Sequence, residues 1–379
     1  MLPMKQTARI ISTYSADVFG VCSALFELGG MTVMHDASGC NSTYSTHDEP
    51  RWYDMDSMVY ISGISEMEAV MGDDEKLIDD ICSAAGKLHP AFIAIAGTPI
   101  PTMIGFDFSA VASLIEQRTG IPTFGFPTTG MNTYVHGASM ALRGIADRFT
   151  APAQKQPNAV NVLGLTPLDF SLNGSDRSIC GFLDREGFTV VSSWAMGSSL
   201  ERISGAARAS VNLVVSAAGF GAAELLKERF GIPYVVGLPI GQKQMKKLAD
   251  ALRLAMETGT DQVVCTSGGQ GIAVIGEGIT SLALAHAIVL ETGKPARVLC
   301  ATECPPGILR DCDVMTPDED DIIEALKDEA AVIADPMYKP ICPPEARFIP
   351  LPTEAFSGRI YRAQIPDLIS DPQSILKEV

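Results

Sequence analysis

The sequence predicts an α/β fold in which three consecutive domains each contain a mainly parallel sheet. Short runs of β-branched residues alternate with longer amphipathic segments, which is the pattern of βαβ units. A local unit also recurs, in which a helix ends at a glycine, a proline follows and a new strand begins. This unit is present at 119–125, 230–237 and 293–299, so three similar layers are expected to follow one another.

The hydrophobic pattern places individual elements along the chain. A first strand is predicted to end at His35, and further strands at Phe92–Ala96, Val160–Leu163, Val211–Ser216, Val263–Thr266 and Arg297–Ala301. Segments with an apolar period near 3.6 residues predict helices at Glu75–Leu88, Ala110–Arg118, Gly137–Arg148, Ala222–Phe230, Gln242–Thr258 and Ser281–Thr292.

Two changes in composition suggest where the domains divide. Residues 150–158 are polar and contain prolines, and a second boundary falls near 258–262. The predicted domains are therefore 1–155, 156–259 and 260–345, which agrees with two or three domains for 379 residues. The remaining 346–379 segment is rich in proline and aromatic residues, and we expect it to pack against the body.

Charge and hydropathy exclude several classes of partner. The chain has 28 basic and 45 acidic residues and a formal net charge of −17, which argues against binding to nucleic acid or to an anionic membrane surface. No apolar run reaches the ~18–20 residues that span a bilayer, and no secretory signal pattern opens the chain. We therefore expect a cytoplasmic protein.

One candidate ligand site follows the first predicted strand. After His35 the chain makes a turn at Gly39 and Cys40, within a loop rich in serine, threonine and acidic residues. Ligands in α/β folds bind at the carboxyl ends of parallel strands, and a cysteine in such a loop can be a thiolate metal ligand. The alternative is a buried cysteine in a tight turn.

A second candidate is the C-x3-C-x7-C cluster formed by Cys300, Cys304 and Cys312 after another strand. Three thiols in one loop can hold zinc or an iron–sulfur cluster when a fourth ligand comes from elsewhere. Because the spacing matches no ferredoxin or zinc-finger pattern, chance clustering of thiols is the alternative. No C-x-x-C pair is present among the nine cysteines.

Glycines at a predicted strand-to-helix turn form a third candidate. Gly276, Gly278 and the start of the following helix can cradle a phosphate or a carboxylate. The G-x-G-x-x-G spacing is incomplete, however, and tight turns explain the glycines equally well. The sequence contains no G-x-x-x-x-G-K-[ST] motif, so we expect no nucleotide to bind through a P-loop.

Four stretches resemble one known family, nitrogenase component 1 (the molybdenum–iron protein) and related reductases of protochlorophyllide, chlorophyllide and nickel tetrapyrroles. His35–Cys40 is similar to the family's H-G-x-x-G-C, and Gly63–Leu77 to its E-x-x-x-V-F-G-G-x-x-x-L. The other similar stretches are Pro90–Thr98 with Ile104–Asp107, and Val211–Ser216 with Phe230–Pro233. The resemblance implies three Rossmann-like domains and a dimer with pseudo-twofold symmetry.

The resemblance also implies which residues bind a cluster. In the family, up to three cysteines of the first domain hold a cluster at the subunit interface. Here only Cys40 occupies such a position, and Ser15 and Pro99, beside Thr98, stand where the family has the other two. A [4Fe–4S] cluster shared across a dimer would thus rely on Cys40. The further candidates for cofactor binding are Ser15, Asp36, Gly39, Thr98 and, in place of the cysteine that anchors the nitrogenase cofactor, Ser216.

Three functions remain open at this stage. The resemblance implies an oxidoreductase subunit, paired with a second copy or a paralogue, that receives electrons from a separate ATP-dependent iron–sulfur reductase and reduces a small molecule. A metallocluster scaffold or a small-molecule-binding protein on the same fold is the alternative. A non-redox enzyme that binds phosphate or nucleotide at its glycine-rich turns is the third. The sequence identifies no catalytic residue.

Overall fold

The computed structural model describes residues 8–37, 39–44 and 48–379, and these residues form three parallel sheets. Each sheet defines one domain, in chain order, and helices cover the sheet faces. Within the described residues, every helix is too short or too polar to cross a membrane.

The first domain contains a sheet of order β2-β1-β3-β4, in which each neighbouring pair is parallel. Its strands are β1 Met31–His35, β2 Met58–Ile61, β3 Ile93–Gly97 and β4 Thr123–Phe126. Its helices are α1 Asp17–Leu25, α2 Glu66–Met71, α3 Asp74–Leu88, α4 Pro99–Met103, α5 Phe108–Thr119 and α6 Tyr134–Phe149.

The second domain has a parallel sheet of order β6-β5-β7-β8-β9. Its strands are β5 Ala159–Leu165, β6 Thr189–Ala195, β7 Val211–Val214, β8 Tyr234–Val236 and β9 Gln262–Val263. Its helices are α7 Pro167–Phe170, α8 Ser175–Arg185, α9 Leu200–Ser204, α10 Phe220–Phe230 and α11 Gln242–Thr258.

The third domain has a parallel sheet of order β12-β11-β10-β13-β14. Its strands are β10 Ile272–Gly276, β11 Ala296–Cys300, β12 Val314–Met315, β13 Ala331–Ala334 and β14 Arg347–Pro350. The helices are α12 Gly278–Thr292, α13 Glu319–Leu326, α14 Glu354–Ser357 and α15 Gln373–Leu376. The 346–379 segment thus begins with the edge strand β14 and continues across the body.

The predicted α/β architecture with three parallel sheets in succession is confirmed. The glycines that end helices in the recurrent unit share one backbone geometry. Gly120, Gly231 and Gly293 each follow the last residue of a helix with positive φ values of 72°, 60° and 74°. This left-handed conformation costs glycine little, and it lets the chain reverse from a helix into the next strand. The main difference is β9, which has only two residues because the chain leaves this sheet edge soon after Val263.

Two buried polar contacts fix the first domain against the other two. The Arg51 guanidinium, 2% exposed, bonds to Glu49 and Glu27 and donates to the Ala195 carbonyl oxygen of the second domain at 2.9 Å. The Glu303 carboxylate of the third domain accepts the Thr133 backbone N–H at 2.9 Å and also the Thr133 hydroxyl. These contacts position the start of α6 where the three domains meet.

Candidate functional site

The carboxyl end of the first sheet carries most of the residues proposed from the resemblance. Asp36 follows β1, and its carboxylate accepts the Ala37 backbone N–H at 2.8 Å and the Asn41 side-chain amide at 3.1 Å. These bonds hold the turn into a short 3-10 helix that starts at Cys40. The side chain of Cys40 lies outside the described part of the structure. A Cβ added to Gly39 would meet no atom of the described, non-adjacent residues within 4 Å.

Two buried hydroxyls occupy positions near this turn. Ser15 donates its hydroxyl to Asp48, and its backbone bonds to both Ala355 and Tyr134. Thr98 follows β3 and donates to the His35 carbonyl oxygen at 3.3 Å. Each hydroxyl therefore has a protein partner and makes a weak candidate for a metal ligand.

Two of the three cysteines of the second candidate, Cys300 and Cys304, lie next to each other. A Cβ added to Gly278 would lie 2.6 Å from the Cys304 sulfur and 3.3 Å from the Cys300 sulfur, so these two thiols are neighbours. Cys312 instead lies beside Asp313, at 3.8 Å. Among the residues that the structure describes, no group of three or more histidine, cysteine or acidic side chains is arranged to hold a metal ion.

A cavity lies where the carboxyl ends of the second and third sheets face the start of α6. It encloses about 770 Å³, part of it open to solvent. All three domains and the C-terminal segment contribute to its walls. Its polar lining side chains are Tyr14, Tyr134, Asp169, Asn173, Ser175, Glu277, Thr280, Ser281 and Thr353. We call it the interdomain cavity.

Two carboxyl groups from different domains lie at this cavity, the half-buried Asp169 and the buried Glu277. Asp169 is in the short helix α7 after β5, where it accepts hydrogen bonds from the Tyr134 hydroxyl and, at 2.8 Å, from the Thr166 hydroxyl. Glu277 follows β10 and accepts the backbone N–H groups of Ala217, Ile279 and Thr280 at 3.0, 3.1 and 2.8 Å. Burial, followed by repulsion from Glu277, raises the pKa of Asp169 to about 7.

The same contacts show what the glycine-rich turn and Ser216 bind within the protein. The first N–H groups of α12 are occupied by the Glu277 side chain itself, so the turn cradles a carboxylate of its own chain. Ser216 follows β7, donates its hydroxyl to the Gly164 carbonyl oxygen at 2.6 Å and lies close to Asp169. Ser216 is therefore near the interdomain cavity, whereas the other proposed cofactor-binding residues lie at the carboxyl end of the first sheet.

The C-terminal segment forms one wall of the cavity. Ile365, Pro366, Leu368 and Ile369 line it. The Asp367 carboxylate holds this wall to the start of α8 by accepting the hydroxyls of Ser175 and Ser178, and the Asn173 amide donates to the Pro366 carbonyl oxygen at 2.9 Å. We call residues 361–369 the C-terminal strap.

The cavity's composition tests whether a family-type metallocofactor fits there. Iron–sulfur clusters are held mainly by cysteine thiolates, with histidine in some centres. The described residues that line the cavity include neither cysteine nor histidine. A metallocluster anchored by thiolate or imidazole ligands therefore does not fit this cavity.

The sequence analysis identified Ser216, which lies near this cavity, but it missed Asp169, Glu277 and Tyr134. Asp169 reads as a helix-start residue in Thr166–Phe170, and Glu277 as a helix cap between two glycines. A signal was present, because both acids follow strand ends in different domains. Only the tertiary structure places them at one cavity.

Comparison with known proteins places the chain in a family. Residues 18–265 match the family model described as "Nitrogenase component 1 type Oxidoreductase". The chain is 26% identical over 264 residues to the nitrogenase iron-molybdenum cofactor biosynthesis protein NifE of Clostridium pasteurianum, a match that covers 65% of this chain and 56% of that protein. It is 27% identical over 220 residues to NifE of Klebsiella pneumoniae, covering 54% and 47%.

A further relative and a solved structure agree with this result. The nitrogenase molybdenum-iron protein alpha chain of Methanosarcina barkeri is 26% identical over 191 residues, covering 49% of this chain and 35% of that one. The chain spans about half the length of the first two relatives. The solved structure "Nitrogenase Cp1 at pH 6.5" shares the fold, with a TM-score of 0.72 and 16% identity over 100% of this chain and 94% of that chain. The chain belongs to the nitrogenase component 1 type oxidoreductase family.

Proposed function

We propose that this chain is a subunit of a nitrogenase-like reductase, which receives electrons through an iron–sulfur cluster at a subunit interface and reduces a small molecule in the interdomain cavity. The observation that carries the proposal is the pair formed by Asp169 and Tyr134 at the cavity. Reduction of most organic groups consumes protons as well as electrons. An acid in a cavity with a pKa of about 7 suits general acid catalysis near neutral pH.

An exposed apolar face supports a partner chain at the carboxyl end of the first sheet. Met67, Val70 and Met71 of α2 are 71–77% exposed, and Met103 at the end of α4 is 84% exposed. Clusters of exposed apolar residues commonly mark protein interfaces. We propose that a second component 1-like chain, either a copy of this one or a paralogue, covers this face next to the turn at Gly39.

Cys40 is the residue through which this chain would hold the interfacial cluster. Since Ser15 and Thr98 donate their hydroxyls to protein acceptors, we expect one ligand from each chain and the remaining ligands from the partner or from an exogenous group. When bound, such a cluster supplies one-electron transfer. The electrons would come from a separate ATP-dependent iron–sulfur reductase, since the sequence contains no P-loop.

The residues at the cavity have separable roles in this proposal. Asp169 relays protons to the substrate, and it takes up a new proton each time it gives one away. Tyr134 and Thr166 each donate a hydroxyl to it, which orients its carboxyl group. The C-terminal strap limits the entry of water, which strengthens electrostatic interactions within the cavity.

Iron and acid-labile sulfide per chain, measured on strictly anaerobic protein, test the cluster. We expect iron in the wild type, loss of that iron in Cys40→Ala, and retention in Cys82→Ala, a control that removes a half-buried thiol on α3. A triple substitution of Cys300, Cys304 and Cys312 by alanine is also expected to retain iron. Iron-free wild type after reconstitution, or iron lost only in the triple variant, would contradict the assignment to Cys40.

A cofactor-assembly scaffold is the second candidate, favoured by the two relatives named as cofactor biosynthesis proteins. A scaffold holds a metallocluster and passes it on, whereas a reductase completes repeated cycles. Incubation with an ATP-dependent reductase and candidate substrates separates the two. Several turnovers per chain would support the reductase, and stoichiometric release of a cluster to an acceptor protein without turnover would support the scaffold.

A further inference from the structure

We propose that the interdomain cavity binds an organic cation, a molecule with one amine or quaternary ammonium centre on an apolar body. This inference deepens the proposed function. It rests on that function in one respect, because it takes the interdomain cavity as the substrate site. It concerns the chemical class of the ligand, which neither the family nor the relatives' names assign to this chain.

The titratable side chains that line the cavity favour a positively charged ligand. Asp169 and Glu277 line it from two different domains. The described lining residues include no lysine, arginine or histidine. A buried anion beside two carboxyl groups would be desolvated without a counter-charge, so ligands with carboxylate or phosphate groups are disfavoured.

Aromatic and aliphatic side chains surround these two acids. The rings of Tyr14 and Tyr134 contribute aromatic surface, which attracts cations. Aliphatic side chains such as Ile275 and Leu284 form other walls and suit an apolar body. Thr353 also lines the cavity, and its hydroxyl oxygen is buried without a hydrogen-bond partner among the described residues.

The carboxyl groups of Glu277 and Asp169 have different hydrogen-bond partners. The backbone N–H groups of Ile279 and Thr280, at the start of α12, and of Ala217, after β7, already stabilise the Glu277 carboxylate. Asp169 faces the hydroxyls of Tyr134 and Thr166, the nearby Ser216 and the Glu277 carboxylate, and no cationic side chain pairs with it among the residues that the structure describes. In the free protein a proton compensates Asp169, and a bound ammonium group would take over that role.

This exchange predicts the pH dependence of binding. Because a cation binds the ionised form of Asp169 more tightly, its affinity rises with pH until Asp169 is ionised in the free protein. Below about pH 7 we expect each pH unit to weaken binding by up to about tenfold. Above that pH the affinity becomes constant as long as the amine stays protonated.

Titration calorimetry with three ligands of similar size tests the proposal: hexylammonium, hexanol and hexanoate. For the wild type at pH 7.5 we expect hexylammonium to bind at least tenfold more tightly than the other two. Asp169→Asn keeps the size of the side chain and should remove this preference. Asp184→Asn, an exposed change on α8, should keep it.

Two outcomes would overturn the proposal: hexanoate or hexanol binding as tightly as hexylammonium, or no hexylammonium binding to the wild type at millimolar concentration. The ligand series and its pH dependence use the wild type, so they decide the question even when Asp169→Asn misfolds. Binding requires neither iron nor electron transfer. An iron-free protein that still prefers hexylammonium would therefore contradict the proposed cluster while supporting this inference.

Discussion

Glu303 accepts two hydrogen bonds from Thr133, one from the backbone N–H at 2.9 Å and one from the hydroxyl. This contact joins the loop after β11 to the residue that precedes α6. Tyr134 is the residue after Thr133, and its hydroxyl donates a hydrogen bond to Asp169. A loop of the third domain therefore positions the Tyr134 hydroxyl against a carboxylate of the second domain.

Removal of this contact should destabilise the protein. Glu303 is 3% exposed, so Glu303→Ala leaves the Thr133 N–H buried without its acceptor, and we expect a loss of about 2–3 kcal/mol in the free energy of unfolding. Glu303→Gln retains one oxygen acceptor and should lose less. Urea denaturation measures both, and equal losses in the two variants would contradict the hydrogen-bonding role.

Asp169 should make the protein less stable as the pH rises through about 7. Its folded pKa of about 7 lies above the ordinary value of 3.8, so the folded state binds more protons than the unfolded state between these values. The stabilisation is complete below pH 3.8 and is lost as Asp169 ionises. We expect Asp169→Asn to gain about 2–4 kcal/mol relative to the wild type on going from pH 5 to pH 8. Parallel stability curves for the two proteins would refute this expectation.

His286 should make the protein less stable as the pH falls, whereas Asp169 lowers the stability as the pH rises. It is fully buried on α12, and burial lowers its pKa from the ordinary 6.5 to about 4. The unfolded chain therefore binds more protons between pH 4 and 6.5, and stability falls as the pH drops through this window. The contribution is about 2–3 kcal/mol. His286→Leu should flatten this part of the curve, although His35, shifted in the same direction, retains part of the slope.

Gly278 should resist substitution because of Cys304. A Cβ at this position would lie 2.6 Å from the Cys304 sulfur, although alanine normally stabilises a helix relative to glycine by about 0.5–1 kcal/mol. We expect Gly278→Ala to cost about 1–3 kcal/mol through overpacking. In a Cys304→Ala background the cost should largely disappear. Additive effects in this double-mutant cycle would show that the two positions do not interact.

The C-terminal strap should open when Asp367 is replaced. Its carboxylate accepts two serine hydroxyls of α8 and the Ile369 backbone N–H at 3.0 Å. We expect Asp367→Ala to speed amide hydrogen exchange across 361–369 by roughly tenfold, which corresponds to about 1.4 kcal/mol. The exposed Asp371→Ala serves as the control. Unchanged exchange in Asp367→Ala would mean that apolar packing alone holds the strap.

Local signals in the sequence determine much of the architecture. Alternating strand and helix patterns, with glycines such as Gly120 and Gly231 that end helices, specify parallel α/β layers because these preferences act over a few residues. The Gly39–Cys40 turn after β1 is likewise evident from its neighbours, and with the other motifs it identifies the family. Helix ends differ by up to three residues, as at the start of α6, because capping depends on contacts such as that between Thr133 and Glu303.

The tertiary structure alone decides which residues share a site. Asp169 and Glu277 look like ordinary helix-start residues in the sequence, yet strand ends from two domains bring them to one cavity, where burial and mutual repulsion shift a pKa. Among the described residues, the same packing leaves Cys300, Cys304 and Cys312 without an arrangement that could hold a metal ion, although the sequence places them in one loop. Local propensity acts along the chain, whereas proximity, burial and electrostatic coupling arise only when distant segments pack against each other.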